Sequence, residues 1–291
     1  MAKTRLQIAR KDIISLFEKR EQNVYKRPEI EKILSENRDF WRLANSTSVK
    51  KFIEYLKEME NFQEFKMDFP HRTETRYVWG KSSNYDLIQS IRPSSYFSHF
   101  TAIFIHELTD QIPKTIYLNY EQPKKKISNG ELSQDRIDMA FRNSCRVSKT
   151  IAHFRDKRIC LLNGKHTAQK GVIDIDDEFG KKIKVTDIER TLIDSVVRPV
   201  YSGGVNTVLT AFERAAQKVS INKLVATLVS LEYTYPYHQA IGFYLEKAGN
   251  YSEEQIALID RFPKNFNFYL THQIKKMDFS ERWKIYYPSG L

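Results

Sequence analysis

The sequence predicts an α+β protein whose N-terminal part is a winged helix-turn-helix, followed by a mixed α/β part and a helical C-terminal part. Three observations support this fold class. Apolar residues recur at helical spacing in three segments near the N-terminus, and two segments of alternating polarity follow them. Beyond residue 204, most of the chain again shows helical periodicity. We therefore divide the 291 residues into three parts, 1–80, 81–203 and 204–291.

The first part contains three predicted helices. An apolar stripe at helical spacing runs from Leu6 to Phe17, and Pro28 suits the first turn of a second helix, PEIEKILSEN. In the third helix, NSTSVKKFIEYLKEM, apolar residues fall at i, i+3, i+4, i+7 and i+10 counted from Val49. Good N-cap residues precede it: Asn45, Ser46 and Thr47.

A β-hairpin is predicted directly after these helices. Phe65, Met67 and Phe69 alternate with Lys66 and Asp68, which is the period of a half-buried strand. A return strand follows a turn over residues 70–73. Three helices followed by a hairpin with a basic tip are typical of a winged helix-turn-helix, in which the hairpin is the wing.

This pattern predicts binding to double-stranded DNA. The N-terminal end of a recognition helix enters the major groove and reaches base edges, and its unpaired amides attract phosphate. The tip of the wing lies along the DNA backbone or the minor groove. The predicted contacts of the third helix are Ser46, Thr47, Ser48, Lys50 and Lys51, and those of the wing are Lys66, His71, Arg72 and Arg76. Winged helices also dock proteins, and three acidic residues weaken the positive field: Glu54, Glu58 and Glu60.

The charge balance favours a polyanionic partner. The chain has 47 basic and 36 acidic residues, a net charge of +11 and an isoelectric point near 9.4. Residues 121–158 hold 10 basic and 5 acidic residues, which predicts a basic patch facing phosphate or a partner. A plain solvated surface fits equally well, because aromatic residues that would stack bases are not interleaved. The patch consists of Lys124, Lys125, Lys126, Arg136, Arg142, Arg146 and Lys149.

Metal sites, cofactors and disulfides are not predicted. His99 and His106 lie seven residues apart, and Asp110 stands where a metalloprotease motif requires a second histidine, so both histidines are predicted at the edge of the core. The two cysteines form no CxxC pair. No apolar run approaches the ~18 residues of a membrane span, and we see no signal peptide. We therefore expect a cytoplasmic protein.

One acidic hairpin raises the alternative of an enzyme. In GVIDIDDEFGKKIKVTD, the residues Asp174, Glu178 and Lys182 resemble part of a metal-dependent nuclease site. Such sites need a carboxylate and a lysine separated by one residue, whereas Phe179 and Gly180 follow Glu178 directly. A solvated turn explains the acidic residues more simply, so no catalytic residue is assigned.

The charged segment KVTDIERTLIDSVVRPVYSGG is predicted to be a well-capped helix. Thr186 and Glu189 fit a capping box, and Asp187 lies where the helix dipole favours negative charge. A ladder at i, i+4 and i+8 on one face is formed by Arg190, Asp194 and Arg198. Further helices follow with caps at Ser220 and Ser252 and boundaries at Pro236 and Gly249, and the tail is predicted to form one or two strands.

Two segments, SSYFSHFTAIFIHELTDQIPKTIYL (94–118) and VTDIERTLIDSVVRPVYSGGVNTVLTAFERA (185–215), resemble the AbiEi family of bacterial antitoxins and transcriptional regulators. The run TDxERTLID, followed by RP and Y-x-GG, is the more specific. The resemblance implies an antitoxin-type domain behind a winged helix that represses its own promoter. It also implies a type IV toxin–antitoxin pair in phage defence, with a nucleotidyltransferase toxin encoded alongside. No catalytic residue or cofactor carries over.

The chain departs from the family pattern in two places, and two other functions also fit the sequence. The connector between Asn37 and Asn45 and the wing are longer than in the compact family form, which affects the choice of DNA contacts. Paired half-sites in an operator would place two copies of the chain on DNA. The alternatives are a nuclease-like domain delivered to DNA, and a docking scaffold in which residues 124–158 bind an acidic partner.

Overall fold

The computed structural model describes residues 3–124 and 131–291, and it confirms an α+β protein. Its contacts group the chain into two compact units. The first unit contains the described residues up to Pro93 together with residues 152–154 and 175–183. The second unit contains the described residues of 94–151, 155–174 and 184–291.

The first unit is built from short helices and an antiparallel sheet. Its helices are α1 (Arg5–Ile8), α2 (Arg10–Glu18), α3 (Arg27–Asn37), α4 (Val49–Lys57) and α5 (Asn84–Gln89). Its complete strands are β1 (Val24–Tyr25), β2 (Phe62–Phe69) and β3 (Arg72–Trp79). Both β1 and β2 pair antiparallel with β3, so the short strand between α2 and α3 joins the hairpin.

The apolar stripes of the sequence form the core of the first unit. Phe17, Ile30, Phe52 and Leu56 bring α2, α3 and α4 together, and Trp79 of β3 stacks on Phe17. The predicted alternation along β2 is confirmed, since Met67 and Phe69 are buried whereas Lys66 and Asp68 are exposed. The register pairs Phe69 with Arg72, so the loop contains only residues 70–71 and is shorter than predicted.

The second unit combines helices with two groups of strands. Its helices are α6 (His99–Ile105), α7 (Gln134–Arg142), α8 (Ile188–Val197), α9 (Val205–Ala215), α10 (Ile221–Ser230), α11 (Tyr237–Ala248) and α12 (Glu253–Asp260). A 3-10 turn, Pro199–Tyr201, follows α8. Its complete strands are β4 (Tyr96–Phe97), β5 (Thr115–Glu121), β7 (Lys157–Gly164), β10 (Phe268–Tyr269), β11 (Met277–Ser280) and β12 (Ile285–Pro288). Three strands are divided between the units: β6 (Ile151–Phe154), β8 (Val172–Asp176) and β9 (Lys182–Thr186).

In the second unit, the parallel strands β5 and β7 end at the same edge of the sheet. Strands β5 and β7 run parallel, in a register from Thr115 opposite Arg158 to Glu121 opposite Gly164. Strand β4 pairs antiparallel with β5 and parallel with β9. Because parallel strands end at the same edge, the residues that follow β5 and β7 lie close together.

Helix α8 differs from its predicted form in two respects. Its N-cap is Asp187, whose Oδ1 accepts the Arg190 amide at 2.8 Å, so the capping box predicted from Thr186 and Glu189 is wrong. Residues 189–196 are all buried, because the helix packs against α6, α9, α10 and α11. The charges of Arg190 and Asp194 therefore lie inside the unit, not on a solvated face.

The C-terminal helices begin and end at the capping residues that the sequence predicts. Ser220 and Ser252 cap α10 and α12, and Gly249 ends α11 in the left-handed conformation with φ of 72°. The tail forms a sheet of three short strands, one more than the sequence predicted, in which β12 lies between β10 and β11. Among the described residues, no helix combines the length and apolar character that crossing a membrane requires.

Candidate nucleic-acid interface and cationic cavity

The N-terminal end of α4 presents most of the residues predicted to contact DNA. Ser46, Ser48, Lys50 and Lys51 are exposed there. The Ser48 side chain caps the helix by accepting the Lys51 amide at 3.2 Å. Within the described residues, Lys50 and Lys51 form no ion pair, so both ammonium groups are available to an external anion. The first turn of α4 is therefore positive through its backbone amides and through two lysines.

Thr47 has a different position from its neighbours. It is 7% exposed, and its carbonyl accepts a hydrogen bond from Arg38 at 3.1 Å. Arg38 also donates to the Ala44 carbonyl at 2.7 Å, so this guanidinium fixes the connector that leads into α4. Thr47 therefore positions the start of the helix, and its side chain is not presented to a ligand.

Three of the four predicted wing residues are exposed on the β2–β3 hairpin. Lys66 lies on β2, His71 lies in the two-residue loop, and Arg72 opens β3. Arg72 is partly neutralised, because its Nε lies 2.8 Å from a carboxylate oxygen of Glu74. Its guanidinium also lies 5.9 Å from the centre of the Phe69 ring. Lys66 and His71 are exposed and form no ion pair with any described residue, so both side chains are available to an external ligand.

Arg76 does not belong to this surface, and its assignment to the wing tip is corrected. The residue lies in the middle of β3 and is 2% exposed. Its guanidinium donates to the Ser90 hydroxyl and carbonyl at 2.9 and 3.0 Å, and it pairs with Glu74 at 3.1 Å. Burial lowers the pKa of Arg76 from its ordinary value. Arg76 thus fastens the end of α5 to the hairpin.

The acidic residues of α4 lie beyond its basic first turn. Glu54 and Glu58 are exposed, and Glu54 pairs with Lys57 at 3.2 Å. Lys57 also pairs with Glu64 of β2 at 2.8 Å. The free positive charge of this helix is therefore concentrated at its N-terminal end, which is the end that a recognition helix directs into the major groove.

The predicted basic patch is only partly brought together. Lys125 and Lys126 lie outside the described residues. Arg136 and Arg142 are exposed on α7, and Lys149 is exposed in the segment before β6. Lys124 and Arg146, in contrast, both line a cavity of about 690 Å³ in the second unit. We call this feature the cationic cavity.

The cationic cavity lies where β5 and β7 end, beside α8. Asn119 and Gln122 come from the end of β5, and residues 162–164 come from the end of β7. Its cationic residues outnumber its carboxylates. The cations are Lys124, Arg146, Lys165, Arg190 and Arg198, and the carboxylates are Asp194 and Glu232.

A buried ion pair forms part of the cavity wall. Arg190 and Asp194 are 4% and 6% exposed, and Arg190 Nε donates to Asp194 Oδ1 at 2.7 Å. Arg190 also donates to the Lys170 carbonyl at 2.8 Å. Although burial opposes the charged form, Asp194 and the neighbouring tyrosines raise the pKa of Arg190. Asp194 in turn accepts a hydrogen bond from the Tyr233 hydroxyl at 3.4 Å.

The loop after β7 is held rigidly against this pair. Glu121 accepts the amides of Thr167 and Gln169 at 2.9 and 3.0 Å. Burial alone would raise the pKa of Glu121, but these hydrogen bonds lower it below its ordinary value. Gly171 is required at the end of the loop, because its φ is +70° and a Cβ there would approach Arg190 Cβ to 2.7 Å. The cavity wall is therefore preorganised.

Arg198 connects the cavity to the free cysteine Cys145. Its Nη1 donates to Cys145 Sγ at 2.8 Å. A hydrogen bond to His272, together with the charge of Arg198, lowers the pKa of the Cys145 thiol. The same contact to Cys145 raises the pKa of His272. The thiol thus lies between two cationic or titratable groups, which favours its ionised form.

His99 and His106 are both engaged inside the second unit. His99 lines the cavity with φ of 53°, and its Nδ1 lies 2.8 Å from the Ser98 hydroxyl. Burial lowers the pKa of His99 to about 4, so the ring is neutral near pH 7. His106 Nε2 lies 2.6 Å from the Thr186 carbonyl. In the described part of the chain, no group of three His, Cys, Asp or Glu side chains is arranged to hold a metal ion.

Two of the three residues of the nuclease alternative form ion pairs with other residues of the hairpin. Asp174 pairs with Lys184 at 3.0 Å, and Lys182 pairs with Asp176 at 2.8 Å. Glu178 is exposed in the turn. Asp177 supports the turn by accepting the Phe179 and Lys181 amides at 2.9 and 2.8 Å. The hairpin therefore has the side-chain contacts of a turn.

Comparisons with known proteins bear on the fold. No protein-family model matches the sequence, and no curated protein matches it significantly. The fold is similar to the crystal structure of the RV2827C protein from Mycobacterium tuberculosis, with a TM-score of 0.60. The match covers 94% of this chain and 89% of that chain at 10% sequence identity. At this identity, the likeness shows a shared fold.

Several residues of the cationic cavity were not found by sequence reasoning. Asn119 is buried beside Gly164, where a Cβ would approach the Asn119 amide to 2.6 Å. Lys165 donates to the carbonyls of Leu231 and Glu232 at 2.9 and 2.6 Å, which closes one side. The available signal was a polar Asn-Gly-Lys-His run directly after an apolar strand, because ligand sites form where parallel strands end.

Proposed function

We propose that this protein is a DNA-binding transcriptional repressor that also serves as the antitoxin of a type IV toxin–antitoxin phage-defence system. One observation supports DNA binding most directly. The N-terminal end of α4 carries two exposed lysines without ion pairs in the described residues, next to an exposed hairpin. We assign the first unit as a winged helix-turn-helix and α4 as its recognition helix.

The arrangement of the first unit supports this assignment. Helix α2 is followed by β1, α3, α4 and the β2–β3 hairpin, and β1 pairs with β3. In such an arrangement the recognition helix is the one before the hairpin. The proposed contacts are Ser46, Ser48, Lys50 and Lys51 at the N-terminal end of α4, with Lys66, His71 and Arg72 on the wing.

The antitoxin role rests on the resemblance of residues 94–118 and 185–215 to AbiEi proteins. These segments supply α6 and α8, which pack against each other in the second unit. The second of them also supplies three charged residues of the cationic cavity, Arg190, Asp194 and Arg198. The proposed partner is a nucleotidyltransferase toxin encoded beside this protein.

The first test is a gel-shift titration against the DNA upstream of the protein's own gene, at two salt concentrations and with excess competitor DNA. We expect specific binding that weakens steeply with salt, because phosphate contacts release counterions. The double variant Lys50→Ala/Lys51→Ala should weaken binding at least about tenfold. It should also reduce the slope of log affinity against log salt concentration by about two.

A charge-matched control separates the α4 face from net charge. Lys247→Ala/Lys275→Ala removes two exposed lysines from the second unit and should leave DNA affinity unchanged. If the α4 variant binds as tightly as the wild type, the assigned face is wrong. If the wild type prefers its upstream DNA no more than random DNA, the repressor role is wrong, and a docking scaffold explains the basic surface better.

The antitoxin role is tested separately by co-expression with the neighbouring nucleotidyltransferase. We expect this protein to restore growth of cells that express the toxin. Lys50→Ala/Lys51→Ala should restore growth equally well when expressed from an unrelated promoter, because the α4 face serves repression. Continued growth arrest in the presence of the wild-type protein would refute the antitoxin role.

A further inference from the structure

We propose that the cationic cavity of the second unit binds a nucleotide, that is, a small ligand with a phosphate group and an aromatic base. This site is separate from the DNA-binding face of the first unit, and the inference does not rest on the proposed function. Its volume of about 690 Å³ falls within the ~300–1,000 Å³ typical of small-molecule sites. Its location where parallel strands end is also a common position for ligand sites in α/β folds.

The charges of the cavity favour a phosphate group. Arg146 and Lys124 are exposed at the cavity and form no ion pair with any described residue. Arg198 contributes a third cationic group, which is half-buried and donates to the Cys145 sulfur. Arginine and lysine are the side chains best suited to hydrogen-bond phosphate oxygens. Only Arg190 among the cations is neutralised by a buried carboxylate, that of Asp194, in the described residues of the cavity.

Aromatic and amide groups in the cavity favour an attached base. Tyr201, Tyr233 and His99 all line it, and His99 is neutral near pH 7 because burial lowers its pKa. Aromatic side chains stack on every base. Asn119 is 6% exposed and lies on the wall, where Gly164 leaves room for its amide. A carboxamide can donate to and accept from the edge of a base. An inorganic anion would use none of these groups.

The site is also built before a ligand arrives. The Glu121 hydrogen bonds fix the loop after β7. Arg190, oriented by Asp194 on the same helix, donates to the Lys170 carbonyl and so fixes α8 against that loop. Polar groups held in this way are already ordered, so little conformational entropy is lost when a ligand binds. We therefore expect specific binding, in contrast to diffuse attraction by surface lysines.

Calorimetric titration of the full chain tests the proposal. The probes are AMP, GMP, CMP and UMP, each compared with its unphosphorylated nucleoside and with inorganic phosphate. At least one monophosphate should bind about tenfold or more tightly than both its nucleoside and phosphate, since each comparison removes one set of contacts. If no monophosphate binds at millimolar concentration, or if phosphate alone binds as tightly, the nucleotide site is refuted.

Two variants place the site within the cavity. Arg146→Ala removes an exposed cationic side chain of the lining and should weaken the best monophosphate about tenfold, because a charge-assisted hydrogen bond is lost. Lys149→Ala removes a nearby exposed lysine that does not line the cavity and should leave affinity unchanged. Equal losses in the two variants would show that surface charge, not the cavity, attracts the nucleotide, and would overturn the proposal.

Discussion

At the scale of single residues, the same side-chain type has contrasting chemistry in different surroundings. Arg72 is exposed at the start of β3, whereas Arg76, four residues later on the same strand, is buried and binds Ser90. The two cysteines differ in the same way. Cys145 contacts Arg198 and is partly exposed, whereas Cys160 lies within β7 and is 3% exposed. Surroundings, not residue type, decide which groups can react.

The cysteine contrast predicts a difference in thiol reactivity. The hydrogen bond to His272 and the charge of Arg198 lower the pKa of Cys145, whereas burial raises the pKa of Cys160. At pH 7 a larger fraction of Cys145 is thiolate, which is the nucleophile. Iodoacetamide should therefore modify Cys145 well before Cys160, as measured by mass spectrometry of peptides over time.

A variant tests the cause of this reactivity. His272→Gln should slow the modification of Cys145 severalfold at pH 7, because the thiol pKa rises towards its ordinary value. The difference from wild type should disappear near pH 10, where the thiol is ionised in both proteins. Equal rates for the variant and the wild type at pH 7 would show that His272 does not stabilise the thiolate.

At the scale of elements, two helices of the second unit show how burial constrains sequence. Helix α8 is buried along residues 189–196, so its charged side chains need internal partners. Glu189, for example, accepts the Ser220 amide at 2.9 Å and pairs with Lys223 at 2.8 Å.

In α11, Gly242 lies against the fully buried ring of Trp283, and a Cβ at this position would overlap the ring.

The contact between Gly242 and Trp283 predicts the effect of one added methyl group. Gly242→Ala should destabilise the protein by about 1–3 kcal/mol, because overpacking outweighs the ~1 kcal/mol that alanine contributes to helix propensity. The measurement is the free energy of unfolding in urea. Lys247→Ala, at an exposed position of the same helix, should change it by less than about 0.5 kcal/mol. A Gly242→Ala variant as stable as wild type would show that Trp283 moves without cost.

At the scale of the whole molecule, the two candidate sites belong to different units. The proposed DNA-binding face consists of residues at the N-terminal end of α4 and on the β2–β3 hairpin, all in the first unit. The cationic cavity is lined entirely by residues of the second unit. Each unit has its own buried apolar cluster, so a surface substitution in one unit leaves the core of the other intact.

This division predicts that the two proposed binding activities can be separated. Lys50→Ala/Lys51→Ala should lose DNA affinity and keep nucleotide affinity, whereas Arg146→Ala should show the opposite pattern. Gel shift and calorimetry on the same protein preparations measure both affinities. If Arg146→Ala weakens operator binding as much as Lys50→Ala/Lys51→Ala does, DNA contacts extend into the second unit.

The sequence by itself determined most of the elements, because their signals are local. Helical periodicity located α2, α3 and α4, and alternation located β2 and β3. The caps at Ser220 and Ser252 and the end of α11 at Gly249 followed from side chains within a few residues of each helix end. Sequence periodicity also placed exposed lysines on the first turn of α4, which is the basis of the DNA-binding proposal.

The tertiary structure alone decided which charged residues are buried and where the cavity lies. The buried state of Arg76 depends on Ser90, and that of Arg190 on Lys170, partners that are distant in sequence. The cavity is lined by residues that range from His99 to Tyr233 along the chain, and residues 152–154 and 175–183 join the first unit. Local sequence patterns report only on neighbours along the chain, whereas burial and charge pairing depend on segments that folding brings together.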